Sequence, residues 1–238
     1  MREKTMHGIC FHHIDEDLGS EYDVAPTDLE RFVRAVVDGG AVFLKPSTLA
    51  ESFADPRIRL AEDAVCLIFD DGYRSTLEFA APLMAKLGVV FGLAPATALL
   101  LDDQRPLAAP EGSRGFLSVD DLKLWTAVGG EILGHSHSHV ALSALATSTV
   151  EHELDTELAI YAEHGLPAPE LFVYPFGAHD ERVRRAVAAR YRGAFAGDCG
   201  SVAGPDHRFD LHRVTFRQKL LPGLLRLDWA SLDLHTHE

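Results

Sequence analysis

The chain has 238 residues, 47% of them hydrophobic, and a formal net charge of −14. That apolar content suits a barrel-sized core and is too high for disorder. The acidic balance disfavours nucleic acid, anionic membranes and polyanionic polymers as partners and suits a neutral or amine-bearing one.

The first residues, 1–6, carry charge but no apolar stretch long enough for a signal peptide, and no segment reaches the length of a membrane span. The cytoplasm is therefore the expected location. No linker, repeat or composition shift divides the chain, so residues 1–238 read as a single domain. Strand and helix signals then alternate. An apolar strand over 8–14 is followed by an amphipathic helix from Thr27-Asp28 that stops at Gly39-Gly40. Strands follow at 41–44 and 64–69, a helix over 77–87 and a strand over 89–93. The stretch 101–115, rich in Asp, Pro and Gly, reads as a long βα loop. A helix begins at Ser118, another spans 150–162, and a strand covers 171–174. A helix over 182–191 and short strands at 194–195 and 214–216 complete the pattern. Repeated βα units with about seven strands imply a parallel barrel, with an open doubly wound sheet as the alternative. Cys10, Cys66 and Cys199 are odd in number and widely spaced; the first two lie in apolar runs and read as buried thiols.

The most informative run is Leu67-Ile68-Phe69-Asp70-Asp71-Gly72-Tyr73. A buried strand delivers two adjacent carboxylates into a glycine turn. Neighbouring Asp side chains repel unless a cation or a shared proton relieves them, and that end of a strand is where α/β folds gather catalytic groups. The alternative is a pair of Asp residues capping the helix that begins near Arg74. A second cluster, Gly134-His135-Ser136-His137-Ser138-His139, decides between them. His135 and His139 are four apart, so one helical turn would set both imidazoles on one face. With a carboxylate from Asp70-Asp71 they make two nitrogens and an oxygen, a first shell that leaves positions open for water and substrate.

These motifs resemble those of the polysaccharide deacetylases, carbohydrate esterase family 4 of the nodulation-deacetylase type. Phe69-Asp70-Asp71-Gly72 resembles the first motif of the family, His135 to His139 with the following Val140-Ala141-Leu142 the second, and Phe172-Val173-Tyr174-Pro175-Phe176-Gly177 the third. The resemblance implies an irregular (β/α)7 barrel that removes an N-linked acyl group, acetyl in the first instance, from an amino sugar. It implies Asp70 as general base, a divalent metal on Asp71, His135 and His139, and an oxyanion contact from the Phe176 backbone N–H. Zn2+ is the expected ion, with Co2+, Ni2+, Mn2+ and Fe2+ as alternatives. The expected partner is an N-acylated sugar; with a cytoplasmic location, nucleotide sugars, lipid-linked oligosaccharides and small N-acetylated sugars lead.

Two departures stand out. Many members carry an Arg before the third motif's Pro-Tyr-Gly, where it holds the catalytic Asp; this chain has Val173 there, and Phe176 in place of the Tyr. The surroundings of Val173 resemble instead the circularly rearranged subgroup that includes the poly-N-acetylglucosamine deacetylases, which carries a later Arg. Arg213 stands at that place, as the replacement or as an ordinary surface residue. The general acid, a His near the C-terminus in the usual order, has two candidates, His12 and His235. In the rearranged order the last strand becomes the first, and His12 enters from the strand beside Asp70 to face it across the metal; His12 is preferred. His13 then points the opposite way as a structural residue. Two rival readings are a glycan-binding relative that lost catalysis, resting on Val173, and an amidohydrolase or PHP-type phosphoesterase, resting on the terminal His-x-His.

Overall fold

The computed structural model describes residues 6–55, 57–58, 60, 64–101, 115–197 and 208–227. The apolar run before Asp70 becomes β3 (Ala64–Asp71), buried at all eight positions. It lies parallel between β1 (Met6–Phe11) and β4 (Gly92–Pro95), with Phe11 opposite Phe69 and Asp70 opposite Ala94. Both faces are covered, which is why its sequence is continuously apolar rather than alternating. The short β2 (Val42–Phe43) pairs with the start of β3, β5 (Glu131–Ile132) continues the sheet beyond β4, and β8 (Arg213–Thr215) pairs with β1 on the other side. A separate parallel pair, β6 (Leu171–Val173) and β7 (Gly193–Phe195), bridges the gap. Gly134, just past β5, pairs with Phe172, and Phe195 pairs with Leu211, just before β8. The ring β1-β3-β4-β5-β6-β7-β8 thereby closes.

Period-2 alternation sorts the side chains between the two sides of that wall. Val65, Leu67 and Phe69 join Phe11, Phe32, Phe91 and Phe216 in the layer under the helices, where the Phe11 ring lies 4.9 Å from that of Phe216 and 5.6 Å from that of Phe69. Cys66 and Ile68 face the other way and meet Ala94, Leu133, Leu171, Val173, Phe195 and Leu211 inside the barrel. Both Cys10 and Cys66 are buried free thiols, as expected.

The outer layer contains α1 (Pro26–Asp38), α2 (Pro46–Ala54), α3 (Ala81–Leu87), α4 (Val119–Ala127), α5 (Thr147–Glu163), α6 (Glu181–Ala188) and α7 (Leu221–Arg226). α4 opens on a capping box in which Ser118 and Asp121 satisfy each other's backbone N–H. The structure alters two expected elements and adds one. The helix expected over 77–87 is a π-helical turn, Thr76–Ala80, running into α3. The strand expected at 89–93 is displaced toward Pro95, because it is the segment level with Ile68 to Asp71 that finds hydrogen-bonding partners. α2 was not anticipated; its nine residues give a short stripe, and Pro46 at its start is its main signal. Residues 102–114 of the expected long loop lie outside the described residues.

Candidate active site

Asp70 continues the inward-facing parity of Cys66 and Ile68 and projects into the top of the barrel. Asp71 would face outward in a continuing strand. Its backbone instead turns left-handed (φ 65), as does Gly72 (φ 83), and both carboxylates reach one cavity. The two His residues arrive differently from expectation. No helical turn forms: residues 135–141 are irregular, and left-handed Ser136 (φ 64) and His139 (φ 53) fold the segment back on itself. The imidazoles still converge, with ring centres 4.9 Å apart. Of the five non-glycine residues with left-handed backbone among those described, four (Asp71, Ser136, His139 and Phe176) border or shape this cavity. Backbone strain of that kind, costing about 1–3 kcal/mol per residue, is held where geometry matters.

Asp71 Oδ1 stands 3.1 Å from His139 Nε2 and 3.4 Å from His135 Nε2, and one donor atom from each residue lies within 4.8 Å of the others. His135 Nδ1–H donates to the Val173 carbonyl at 2.8 Å, which fixes the ring and turns the Nε2 lone pair inward. Asp71 Oδ1 and His135 Nε2 are buried and have no hydrogen-bond partner. Buried polar atoms are seldom left so. One carboxylate oxygen and two imidazole nitrogens converging on a single point fit a divalent cation. Burial disfavours charge on both Asp71 and His139, but the imidazoles of His135 and His139 beside it hold Asp71 well below the usual carboxylate range, and Asp71 in turn holds His139 above the usual imidazole value.

The family profile of the polysaccharide deacetylases matches residues 57–192, which include all three motifs. The chain belongs to the polysaccharide deacetylase family. Bacillus subtilis YxkH is 21% identical over 217 residues, spanning 91% of this chain and 71% of that protein. Among solved structures, the Streptococcus pyogenes deacetylase PplD, in complex with acetate, has a TM-score of 0.79 at 18% identity, covering 93% of this chain and 96% of its own. IcaB from Ammonifex degensii has a TM-score of 0.81 at 19% identity, covering 96% and 97%. At these identities the likeness is one of fold, the (β/α)7 barrel, and the ring of seven strands described above is that barrel.

Within this deacetylase, Val173 is a barrel-interior residue, and the Arg expected beside it arrives from β8. Arg213 Nη1 lies 2.7 Å from each Asp70 oxygen, while its Nε donates to the Ala196 carbonyl at 3.2 Å. Gly8 opposite it on β1 makes room, since a Cβ there would fall 2.7 Å from the Arg213 Cβ. Burial pushes the Asp70 carboxyl up, but Arg213, helped by His135 and His12, outweighs that and holds it below the usual carboxylate range. The reading of a binder without catalysis, which rested on Val173, loses that support, and family membership replaces the amidohydrolase or phosphoesterase reading.

His12 follows β1 into the same cavity, with its Nδ1 3.9 Å from Cys10 Sγ. It does not face Asp70 across the ligands. A His12 nitrogen, an Asp70 oxygen and Cys10 Sγ lie within 4.8 Å of one another, because β1 and β3 are neighbours in parallel register. The rival His235 lies outside the described residues. His13 is buried, with Nδ1 3.5 Å from Asp23 Oδ1 and its ring against Tyr73, yet it also borders the cavity. Phe176 is 70% exposed, and its ring packs against His139 with centres 4.8 Å apart. Its left-handed turn depends on Gly177 (φ 65), whose missing Cβ would collide with Gly197.

Sequence reasoning missed the far wall. The loop after β1 brings Tyr22 to the cavity, where Arg217 packs over its ring at 5.4 Å. It also missed the buried Glu157, which accepts hydrogen bonds from His135 N–H and the Tyr191 hydroxyl; burial, the larger influence, pushes its carboxyl up to about 8. The cavity, about 620 Å³, has the size of a small-ligand site. Among the described residues, no helix is long and apolar enough to cross a membrane.

Proposed function

We propose that this chain, as one catalytic domain over residues 1–238, is a metal-dependent carbohydrate N-deacetylase. It hydrolyses the acetamide of an amino sugar in a glycan, glycolipid or nucleotide-sugar precursor. The observation that carries the reading is the convergence of Asp71, His135 and His139 beside an Arg213-held Asp70. Asp71 Oδ1 and the two Nε2 atoms are the expected ligands, a donor set that holds catalytic Zn2+, the proposed ion. A divalent ion bound there would polarise the amide carbonyl and lower the pKa of a water. Asp70, kept ionised by Arg213, accepts a proton from the attacking water as the water oxygen bonds to the carbonyl carbon. The Phe176 backbone N–H is the proposed donor to the oxyanion. When the C–N bond breaks, protonated His12 gives its proton to the nitrogen, leaving acetate and the free amine. The location proposed for this reaction is the cytoplasm, which offers precursors rather than finished wall polymer.

The test is acetate release from a panel of N-acetylated sugars, nucleotide sugars and oligosaccharides by metal-free protein, with and without added Zn2+ or Co2+. Metal-dependent release is expected. Equal rates with and without the ions, or no release from any substrate, would end this reading.

A further inference from the structure

α5 carries two carboxylates where a helix of this kind has core residues. Its buried stripe runs Val150, Glu153, Leu154, Glu157, Ile160, Tyr161, and Glu153 and Glu157, four apart, are 8% and 0% exposed. Burying a carboxylate costs several kcal/mol unless hydrogen bonds replace its water. Three of the hydrogen bonds that the pair accepts come from the segment bearing the two His residues, and a fourth comes from Tyr191. Glu157 Oε1 accepts from His135 N–H at 2.5 Å, and its Oε2 accepts from the Tyr191 hydroxyl at 2.7 Å. Glu153 Oε2 accepts from Ser138 N–H at 2.8 Å, and its Oε1 accepts from Ser138 Oγ at 2.7 Å. The segment has lost the regular pairing of a strand through the left-handed turns at Ser136 and His139. Buried amides in such a turn need acceptors from outside the sheet.

We infer that Glu153 and Glu157 are positioning residues that clamp the His135–His139 segment from behind, so that both imidazoles are set for a divalent cation before it arrives. This rests on the metal-site reading above. Glu157 holds the backbone of His135 while the Val173 carbonyl holds its ring, so that residue is fixed at both ends. Glu153 holds Ser138, next to His139, on the other side of the kink.

The experiment measures Zn2+ affinity by chelator competition, the visible spectrum of the Co2+ form, and thermal unfolding of the metal-free protein. It compares wild type with Glu153→Gln, Glu157→Gln, Ser138→Ala and Tyr191→Phe. The Gln variants keep the shape and one acceptor oxygen, and Ser138→Ala and Tyr191→Phe each remove one hydrogen bond without touching a ligand. The expected result is a loss of Zn2+ affinity of roughly 10–100-fold in each Gln variant and a smaller loss in the other two. The Co2+ spectrum should shift, and kcat should fall while KM holds. Unchanged affinity and spectrum in variants that fold would overturn the clamp and leave the metal site standing. Should a Gln variant not fold, Ser138→Ala and Tyr191→Phe decide by the same two readouts. A wild-type protein that binds neither ion overturns both readings.

Discussion

Arg213 and Asp70 are 143 residues apart in sequence, yet one guanidinium nitrogen sits 2.7 Å from both oxygens of the carboxylate. Both side chains are almost fully buried. The pair places an ionised Asp at the mouth of the barrel, where burial alone would favour its neutral form.

Arg213→Met should therefore raise the Asp70 pKa and move the acid limb of the pH–rate profile upward. Because Arg213 depresses that pKa, the ion pair stabilises the folded chain above the ordinary carboxylate range and fades as pH falls through the depressed value. At neutral pH the variant should lose about 3–5 kcal/mol of stability, the cost of leaving a buried charge uncompensated. An unmoved acid limb in a folded Arg213→Met protein would remove Arg213 from this role.

The two neighbouring carboxylates should separate by variant. Asp70→Asn is expected to keep the metal and lose about 2–4 kcal/mol of transition-state stabilisation or more, whereas Asp71→Asn should weaken the metal itself. Metal analysis alongside kcat distinguishes them; equal metal loss in both would reverse the assignment.

Purified protein should contain close to one divalent ion per chain, and His135→Ala and His139→Ala should lose it. Adding the ion back to metal-free wild type should raise Tm, since a ligand that binds the folded state alone stabilises it. Full retention in both His variants would refute these ligands.

His12→Ala should cut kcat strongly with the metal still bound. Deleting residues 234–238 should leave most activity. An active His12→Ala enzyme beside an inactive deletion would make His235 the acid.

Much of this site was legible because strand parity is legible. Asp70 shares a face with Cys66 and Ile68, and His12 one with Cys10, so an even spacing places both on the inner wall. The His135–His139 spacing pointed to two imidazoles on one side, and their ring centres do lie 4.9 Å apart, but by a different path. A helical turn and a doubly kinked loop bring the same two residues together, and only φ at Ser136 and His139 tells them apart. Glu153 and Glu157 went unread because acids on a helix are ordinarily solvated. Their signal was present all the same, since they fall on the stripe set by Val150, Leu154 and Tyr161. Barrel closure left less trace, because β6 and β7 have three residues each and meet the rest of the ring through single pairings.

Those single pairings give the barrel a seam. On one side it is stitched by Gly134 N–H to the Leu171 carbonyl and Val173 N–H to the Gly134 carbonyl. Gly134 and His135 follow β5 and so stand with Asp71 on the six-stranded lip, while β6 is the other. The His135 ring reaches across the seam by donating Nδ1–H to the Val173 carbonyl of β6, and an ion held by His135 Nε2 would fix the ring that makes this stitch. Amide protons of β6 should then exchange with solvent more slowly when the ion is bound, while those of β3 change little. Occupancy of the site would thus be written into the mechanical integrity of the barrel as well as into its chemistry.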